Sequence, residues 1–404
     1  MNPHLLFLSD IPPWPAPLFG AQLRTARLVE QLSRAFRVTL MCSNDAGGRP
    51  LHVPGADRLD GVPRSAPKPG HRWGGPLDTL AGLVPARLHA SVSESIPRAL
   101  LPLLRDLKRT DPPPVVWAYH SYMAELARMA GFDQIVTDID DFEHVVWRKD
   151  IESRGHYRRA ALHRLSCVGL QRYEERLGRR FPALVVSKIQ DIAIVEEHAE
   201  AARSLLAVVP NGIDVPLEVA PLTKAPTMLF VGKLSWPPNY DAIQWFIDYV
   251  LPRIRAEIPE ANLIVAGRGP VPEVLQPYTS RPHVRFEVSP PEMANVYREA
   301  RVAITPVRLG DGTKIKVLEA MAMGRPLVTT SDAARGHAIV ENVHALVANE
   351  PAEFASACVR LLRDDALAER LATAGRAWVA QHGSWDRSGD AAIAVVKQLL
   401  HVSA

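Results

Sequence analysis

The sequence predicts an α/β protein with two doubly wound domains, and three observations support this prediction. The chain has 404 residues, more than one hydrophobic core usually serves, so two domains of about 200 residues each are expected. Short runs rich in β-branched residues alternate with helical patterns, which is typical of parallel sheets covered by helices. The turn sequence VVPNGID at 208–214 interrupts the alternation, and a second strand–helix series follows it.

The first series contains several predicted strands and one long irregular segment. The strands are expected at 5–9, 37–42, 115–120, 134–139, 183–187 and 205–210. The stretch 44–75 is rich in Pro and Gly and shows no periodicity, so it is predicted to be a loop. The opening MNPHLLFLSD has no basic region before its few apolar residues, which favours a first strand over a signal peptide.

The second series predicts another parallel sheet. Its strands are expected at 227–232, 261–267, 284–288, 301–307, 326–330 and 344–348. The predicted domains are 1–210 and 211–385, with 386–404 as a C-terminal helix that packs back toward the first domain, and PLEVAPLTKAP as a linker. Ligands of doubly wound sheets bind beyond the carboxyl ends of the strands, so the cleft between two such domains is the expected site.

Composition and charge narrow the class of protein. Apolar residues make up 47% and charged residues 23%, ordinary values for a soluble chain, and a net charge of +3 is too small to argue for nucleic acid. The three cysteines are far apart and form no CxxC motif, which suits a reducing compartment and argues against zinc. No run approaches the roughly 18 apolar residues of a membrane span.

The segment GDGTKIKVLEAMAMGRPLV at 310–328 carries the clearest chemistry. A helix is predicted from Thr313, and the free amides and dipole at a helix start attract anions, most commonly phosphate. Gly310 and Gly312 would let the backbone approach a ligand closely. Lys314 and Lys316 add positive charge at an end that normally prefers acids, so they call for a counter-anion.

Glu319 follows Lys316 by three residues and shares its helix face. A carboxylate among apolar neighbours needs hydrogen-bond donors, and sugar hydroxyls would serve. The alternative is a structural Lys316–Glu319 ion pair on a half-exposed helix. The spacing alone leaves both interpretations open.

The segment DGTKIKVLEAMAMGRPLV closely resembles the donor-binding segment of retaining GT-B glycosyltransferases, in particular glycosyltransferase family 4. That family shows an acid, seven intervening residues and a Glu before AMA-G-PVV, and Asp311 and Glu319 have this spacing. The resemblance implies that Glu319 binds the ribose of a nucleotide and that Asp311, one methylene shorter than the usual Glu, contacts the donor sugar. The GTKIKVLEA form is similar to bacterial sugar transferases of exopolysaccharide systems.

Other segments extend the resemblance. VPNGID is similar to the hinge region of the family, and LFVGKLSWPPNYDAIQWF to the first strand and helix of its second domain, where a basic pair holds the diphosphate. Lys233 matches the first member of that pair. The second lysine is not evident, and we expect Lys314 to take its role.

In the first half, Gly20, His120 and Arg24 stand at or just beyond strand ends. Gly20 resembles the glycine loop of the family, whose amides approach the donor. Arg24, one turn into the following helix, is either an anion ligand or a solvated charge. A lone histidine is more often structural, but His120 follows a strand, and family members carry a histidine in this region that touches the donor sugar.

Asp138 and Asp140 form a DxD pattern, which holds metal and diphosphate in another glycosyltransferase fold. Because that fold has one sheet and because lysines supply countercharge here, we expect the two acids to line the acceptor side or to cap the next helix. The predicted site therefore has three parts. They are His120, Asp311 and Lys314 as catalytic residues, Gly20, Lys233, Gly310, Gly312, Thr313, Lys316 and Glu319 for the donor, and Arg24, Asp138 and Asp140 on the acceptor side.

Residues 148–180 hold ten Arg or Lys and four Asp or Glu, with apolar residues at Leu162, Leu165, Val168 and Leu170. Similar enzymes use such basic amphipathic segments to rest on anionic membrane surface. The alternative is a solvated helix that packs on its own domain.

Together, these features predict a cytoplasmic GT-B glycosyltransferase with two Rossmann-like domains facing a central cleft. A peripheral contact with the inner face of the membrane stays open. It would move a sugar from a nucleoside diphosphate sugar to a hydroxyl of a carbohydrate, lipid-linked or small-molecule acceptor, with retention. No cofactor, required divalent metal or nucleic-acid partner is expected. A nucleotide-sugar epimerase and a non-catalytic sugar-nucleotide-binding subunit stay open as alternatives.

Overall fold

The computed structural model describes residues 2–14, 20–44, 53–63, 96–146, 148, 160–196, 204–309 and 313–402. The chain forms two compact units. Unit 1 comprises Met1–Asn211 and Trp385–Ala404, and unit 2 comprises Gly212–Ser384. These boundaries lie within one residue of those expected from the sequence.

The strands carry the architecture of both units. In chain order they are β1 His4–Ser9, β2 Arg37–Asn44, β3 Arg58–Pro63, β4 Val115–Tyr119, β5 Ile135–Ile139, β6 Ala183–Val186, β7 Leu205–Val208, β8 Thr227–Val231, β9 Asn262–Gly267, β10 Val284–Val288, β11 Val302–Thr305, β12 Leu327–Thr329 and β13 Leu346–Val347. Every strand that the sequence predicted is confirmed, with ends shifted by a few residues.

The helices fill the connections between these strands. They are α1 Ala21–Leu32, α2 Leu101–Thr110, α3 Ser121–Met129, α4 Ala160–Glu174, α5 Leu177–Arg180, α6 Ile192–Glu196, α7 Pro237–Trp245, α8 Leu251–Glu257, α9 Met293–Glu299, α10 Ile315–Ala322, α11 Ser331–Ala334, α12 Pro351–Arg363, α13 Asp365–His382 and α14 Trp385–Val402. Short 3-10 turns cover Arg98–Leu100, Ile189–Asp191 and Glu273–Tyr278, and a π-helical turn, Phe246–Val250, joins α7 to α8.

In the part of the chain that the structure describes, each unit has one parallel sheet. The order is β3-β2-β1-β4-β5-β6-β7 in unit 1 and β10-β9-β8-β11-β12-β13 in unit 2. Strand β1 shows why the strands read as continuous apolar runs. Leu5 and Phe7 face the core beneath α1 and α14, whereas Leu6 and Leu8 face the core beneath α2 and α3, because both faces of a parallel sheet are covered.

Strand β3 corrects one prediction. Residues 44–75 were expected to form a loop, but Arg58–Pro63 pairs with β2 at the edge of the sheet. Its sequence RLDGVP lacks the alternating apolar pattern of a strand and contains Gly and Pro, which an edge strand tolerates. Most of the remaining predicted loop lies outside the described residues.

The C-terminal helix packs on unit 1. Gln31 of α1 donates a hydrogen bond of 3.1 Å to Asp386, and Arg34 forms an ion pair of 3.0 Å with Asp390. A Cβ at Gly389 would lie 2.5 Å from the Cβ of Gln31. The missing side chain therefore allows α14 to approach α1 closely.

The segment predicted as a linker, 216–226, belongs to unit 2, and arginines of this unit bind its backbone carbonyls. Arg325, which is 1% exposed, donates to the carbonyls of Ala220 and Pro221, the latter at 3.2 Å. Arg301 donates to the carbonyl of Thr223 at 3.1 Å, and Arg376 to that of Leu217 at 3.0 Å. The planar guanidinium of an arginine has several N–H donors. It can therefore satisfy backbone carbonyls that are not hydrogen-bonded within a sheet or a helix.

Two residues expected on the acceptor side are interior residues of unit 1. Arg24 and Asp138 are both 0% exposed, and their side chains form a bidentate pair with distances of 2.7 and 3.2 Å. Trp117 also donates to Asp138, at 3.1 Å. Burial raises the pKa of the Asp138 carboxyl, and the Arg24 guanidinium opposes that rise.

The same network reaches Asn211, the last residue of the first segment of unit 1. Arg24 donates to the Asn211 side-chain oxygen at 3.0 Å, and Asn211 donates to Asp140 at 3.0 Å. Tyr119 donates to the other oxygen of Asp140 at 3.2 Å. The carboxylates of Asp138 and Asp140 are thus engaged by protein donors. Asp138 is fully buried and anchors a strand end of unit 1 instead of lining an acceptor surface, whereas Asp140 is partly exposed.

Within the described ranges, no helix combines the length and the apolar character that crossing a bilayer requires.

Substituting Arg24 tests the importance of the buried pair for stability. We expect Arg24→Met to lower the free energy of unfolding by about 3–5 kcal/mol, because it leaves Asp138 buried without its countercharge. The double variant Arg24→Met, Asp138→Leu should lose less, since it removes both charges. Urea unfolding of the full chain measures both values.

The matched control is Arg27→Met on the same helix. Arg27 is partly exposed and pairs with Glu30 at 2.7 Å, and a surface pair of this kind contributes about 1 kcal/mol at most. Equal losses for the Arg24 and Arg27 variants would contradict the assigned role of the buried network.

Candidate functional site

The segment singled out by the sequence lies at the carboxyl edge of the sheet in unit 2. Helix α10 begins at Ile315, with Lys314 as its N-cap residue, so the predicted start at Thr313 is two residues early. The helix ends before Gly324, whose φ of 65° is the left-handed conformation that favours glycine. Gly310, Asp311 and Gly312 lie outside the described residues.

Lys316 connects three elements at this edge. Its Nζ donates a hydrogen bond to Oδ1 of Asn239 on α7, and it lies 4.6 Å from the ring centroid of Phe230 on β8. Asn239 in turn donates to the carbonyl of Lys233 at 2.8 Å. The start of α10, the start of α7 and the loop after β8 are therefore held together by one chain of hydrogen bonds.

Gly232 makes this arrangement possible. A Cβ on Gly232 would lie 2.8 Å from Nζ of Lys316 and 2.7 Å from Nδ2 of Asn239. Any side chain here would displace one of these polar groups. The glycine at the end of β8 therefore leaves the space in which the lysine and the asparagine meet.

The charges of Lys316 and Glu319 are both perturbed. Burial lowers the pKa of Lys316 to about 7, with a further decrease from Lys314 and an opposing effect of Glu319. Burial likewise raises the pKa of Glu319 to about 7, against the effect of Lys316. Perturbed pairs of this kind are concentrated at functional sites.

The open question of a Lys316–Glu319 ion pair is decided by geometry. Among the described residues, no ion pair within the usual 4.0 Å joins the two side chains, and none donates a hydrogen bond to the Glu319 carboxylate. Glu319 is only partly buried. Its oxygens are therefore available to an external donor, as a hydroxyl-binding role requires.

Lys314 is held by a residue that the sequence analysis missed. Nε2 of His337 lies 3.1 Å from the backbone carbonyl of Lys314, and His337 is 4% exposed. Burial lowers the pKa of His337 to about 4, so the imidazole is neutral and its Nε2–H donates to the carbonyl. No motif marks His337, because its contact depends on how the chain folds back onto the α10 loop.

Further cations lie at the same edge. Lys233 follows β8 and is exposed, and Arg268 follows β9, where the carbonyl of Arg268 accepts a hydrogen bond of 3.0 Å from Leu234. Thr313 and Lys314 are partly exposed. Asn239, Arg268 and His337 were absent from the predicted site. For Asn239 the signal was present but ambiguous, since asparagine in WPPNYDA was interpreted only as a missing lysine.

In unit 1, Gly20 and His120 both occupy unusual backbone conformations at strand or helix ends. Gly20 caps α1 with a φ of 49°, is exposed, and has no atom within 4 Å of the position of a Cβ. His120 follows β4 with φ 73° and ψ 151°, a region that residues other than glycine occupy only at a cost of about 1–3 kcal/mol. Such strain is characteristic of functional positions.

The surroundings of His120 add groups that the sequence analysis did not select. The His120 ring stacks on Tyr122 with centroids 5.2 Å apart, and the Tyr122 hydroxyl donates to Asp10 at 2.7 Å. The other Asp10 oxygen is buried, and no described residue forms a hydrogen bond with it. Glu143, after β5, has its pKa raised to about 7 by burial and by Glu174 and Asp10.

The basic segment at 148–180 is described only from Ala160 onward, apart from Arg148, and the side chains of Leu162 and Leu165 lie outside the description. Leu170 is 0% exposed in the core of unit 1, whereas Val168 is 39% exposed. A surface hollow on α4 and α5 is lined by Arg172, Glu175, Arg176 and Arg179. The burial of Leu170 agrees with a helix that packs on its own domain. The arginines that line the hollow lie at the surface.

Across the described residues, no group of three or more His, Cys, Asp or Glu side chains is placed to hold a metal ion.

Comparisons with known proteins connect this site to sugar transfer. Residues 225–364 match the model of the family described as glycosyl transferases group 1. The chain is 30% identical over 198 residues to a phosphatidyl-myo-inositol mannosyltransferase of Mycobacterium tuberculosis, covering 45% of this chain and 52% of that protein. The corresponding protein of Mycobacterium leprae is 33% identical over 187 residues, with 44% and 49% covered. The chain spans about half the length of the curated relatives that it matches.

Solved structures match the whole chain. Sucrose-phosphate synthase from Thermosynechococcus elongatus aligns with a TM-score of 0.73 at 16% identity, over 99% of this chain and 100% of that one. The HepE protein of Anabaena, solved with UDP and glucose, aligns with a TM-score of 0.62 at 13% identity, over 99% of both chains. The chain has the GT-B fold.

The GT-B fold agrees with the prediction from the sequence. It also gives the positions of Lys233, Lys316 and Glu319 a structural meaning, because parallel sheets bind ligands at the carboxyl ends of their strands. All three residues lie at or next to that edge in unit 2, and all three fall within the range that matches the family.

The pKa of His337 predicts a pH dependence of stability. Its folded value of about 4 lies below the ordinary value of 6.5, so the unfolded chain binds the proton first as the pH falls. This contribution to stability is complete above pH 6.5 and is lost between pH 6.5 and 4, by up to about 3 kcal/mol. Urea unfolding measured across this window should show the decline.

His337→Gln can still donate to the Lys314 carbonyl but does not titrate, so its stability should decline less across the same window. His382→Gln, at an exposed histidine of α13, serves as the control and should follow the wild type. An unchanged pH slope in the His337 variant would show that this imidazole is not buried in the neutral form.

Proposed function

We propose that the protein is a glycosyltransferase that moves a sugar from a nucleoside diphosphate sugar to an acceptor hydroxyl, with retention of configuration. One observation carries the proposal. A partly buried Glu319, to which no described residue donates a hydrogen bond, lies one turn after a helix start that carries Lys314 and Lys316, and Asn239 links Lys316 to the loop of Lys233. The carboxylate oxygens of Glu319 can accept hydrogen bonds from the ribose hydroxyls of a nucleotide. The cationic helix start can bind its phosphates.

The comparisons support this proposal. The family match covers the whole of this arrangement, and the curated relatives are named as sugar transferases. The HepE structure holds UDP and glucose, and a second HepE structure holds UDP-glucose. A nucleoside diphosphate sugar is therefore the donor class that we propose.

The chemistry follows from charge. When the bond from sugar to diphosphate breaks, negative charge builds up on the leaving phosphate. The positive end of the α10 dipole and the side chains of Lys233, Lys314 and Lys316 would be in place before the reaction, and preorganised groups of this kind usually contribute a large part of catalysis. Glu319 holds the ribose hydroxyls and so fixes the donor against these cations.

The finer assignments rest on the resemblance of the sequence to retaining enzymes. They include contact of Asp311 and His120 with the donor sugar, approach of the Gly20, Gly310 and Gly312 backbone to the donor, and a role of Thr313 at the phosphates. Retention is proposed to occur by attack of the acceptor hydroxyl on the face that the diphosphate leaves, with the leaving phosphate taking the proton. An exopolysaccharide-type acceptor and a cytoplasmic location are proposed on the same ground.

The two alternatives make different demands. An epimerase would convert the donor in the absence of any acceptor. A binding subunit would hold the donor and transfer nothing to a full panel of acceptors. The names of the relatives favour transfer, and an assay of donor consumption with and without acceptors separates the three functions.

A thermal-shift panel of nucleoside diphosphate sugars tests the donor site. We expect one or two donors to raise the melting temperature, and Glu319→Gln to remove most of that increase because its amide is a poorer acceptor for ribose hydroxyls. Glu369→Gln, at an exposed glutamate of α13, is the matched control and should retain the full increase.

A full thermal shift in the Glu319 variant would contradict the ribose assignment. The absence of any shift in the wild type across uridine, guanosine, adenosine, cytidine and thymidine diphosphate sugars would contradict the proposed function itself.

Contact with an anionic membrane is proposed to be electrostatic, through the outward-facing arginines of the hollow on α4 and α5. We expect the chain to co-sediment with phosphatidylglycerol vesicles at low salt and to be released at about 0.5 M salt, where the Debye length falls to a few ångströms. Replacing Arg172, Arg176 and Arg179 by Gln should abolish sedimentation, whereas Arg253→Gln and Arg298→Gln in unit 2 should not. No sedimentation of the wild type at low salt would end this proposal.

A further inference from the structure

Lys316 has a position that its sequence context does not explain. It stands in the first turn of α10, where the helix dipole disfavours a cation. Its ammonium is partly buried, with the Asn239 amide oxygen as a neutral acceptor and the Phe230 ring below it. No carboxylate among the described residues lies within ion-pair distance of it.

The charged groups around Lys316 do not compensate its charge. Lys314 on the same helix end repels it, and Glu319 on the same face attracts it without forming an ion pair. On α7, the nearest acid in sequence is Asp241, which is engaged by Arg308 through two hydrogen bonds of 3.0 Å. On β8, the contacting residue is Phe230, and the loop beyond carries Lys233. Among the described residues, no carboxylate forms an ion pair with a charged Lys316, so a bound anion would find an uncompensated cation here.

The amide of Asn239 holds the Lys316 side chain beside the loop that carries Lys233. Asn239 is fixed by its own donation to the Lys233 carbonyl, and its oxygen accepts a hydrogen bond from Nζ of Lys316. Lys233 matches the first basic residue expected at the diphosphate, and the sequence analysis expected Lys314 to provide the second. The contact through Asn239 makes Lys316 a further candidate for that role.

We propose that Lys316 is the second cation that binds the diphosphate, and that its Nζ takes up a proton when the donor binds. This inference rests on the proposed function. In the free protein the amine forms one hydrogen bond with Asn239. The diphosphate then brings negative charge to the amine, and the ammonium form becomes the stable one. Binding of the donor and protonation of Lys316 are thereby one coupled step.

The pH determines whether donor binding takes up protons or releases them. At pH 8 the free Lys316, with a pKa of about 7, is mostly neutral and Glu319 is mostly ionised, so donor binding should take up nearly one proton. At pH 6 Lys316 is already charged and Glu319 is mostly protonated. Hydroxyl donors favour the carboxylate, so binding should then release protons. The donor itself contributes none, because each phosphate of a nucleoside diphosphate sugar has one ester bond and one anhydride bond, and its one remaining acidic group is fully ionised in this range.

Isothermal titration calorimetry tests this proposal. The full chain is titrated at pH 8 with the nucleoside diphosphate sugar that gives the largest thermal shift, in two buffers with different enthalpies of ionisation. The difference in apparent enthalpy gives the number of protons exchanged. We expect an uptake of nearly one proton at pH 8 and a release at pH 6.

The variant Lys316→Arg keeps the positive charge at this position but removes its titration. Arginine stays protonated throughout this range, so the variant should bind the donor at pH 8 without proton uptake. Lys314→Arg is the matched control at the same helix end and should retain the uptake. Lys316→Met should weaken donor binding about tenfold or more, as expected for a lost charge-assisted hydrogen bond, and a Lys316→Met, Asn239→Lys variant should recover part of this loss.

The outcomes distinguish this proposal from the one on which it rests. If the wild type binds a donor at pH 8 without proton uptake, or if Lys316→Arg retains the uptake, the role given to Lys316 is wrong and the donor site still stands. If no nucleoside diphosphate sugar binds, both proposals fall.

Discussion

The hydrogen-bonded chain from Lys316 through Asn239 to the carbonyl of Lys233 is the interaction on which the candidate site depends. It fixes the start of α10 against the end of β8, and both elements carry residues that we assign to the donor. The chain fits only because Gly232 has no side chain at the point where the three elements converge. The site is thus determined by a packing constraint at the sheet edge as much as by its charges.

This constraint accounts for the unusual charge balance at the start of α10. A lysine in the first turn of a helix is unfavourable when no anion is present, and the structure places this lysine where water is partly excluded. The Asn239 amide accepts a hydrogen bond from Lys316, and the Phe230 ring stabilises the charged form of this side chain, so both contacts offset part of the cost. A bound diphosphate would turn the same arrangement from a local cost into a source of affinity.

The polar groups of unit 1 show a different use of burial. Arg24 and Asp138 stand near strand and helix ends, where ligands of parallel sheets usually bind, yet their side chains turn inward and satisfy each other. They link β5, α1 and Asn211, the last residue of the unit's first segment. In contrast, His120 retains backbone strain, and Asp10 retains an oxygen that no described residue bonds. Both features are characteristic of positions kept for function.

The sequence by itself determined the parallel α/β class, the strands with continuous apolar runs and the segment around Glu319, because hydrophobic periodicity and turn residues act over short stretches of chain. It could not find β3, whose edge position relaxes the pattern, or separate an inward Arg24 from a surface one. Only the tertiary structure decided that Lys316 meets Asn239, that His337 holds the Lys314 carbonyl and that no described residue forms an ion pair with Glu319. Each of these contacts joins residues on different elements or depends on the exact path of a loop, and no local pattern in the sequence encodes such distances.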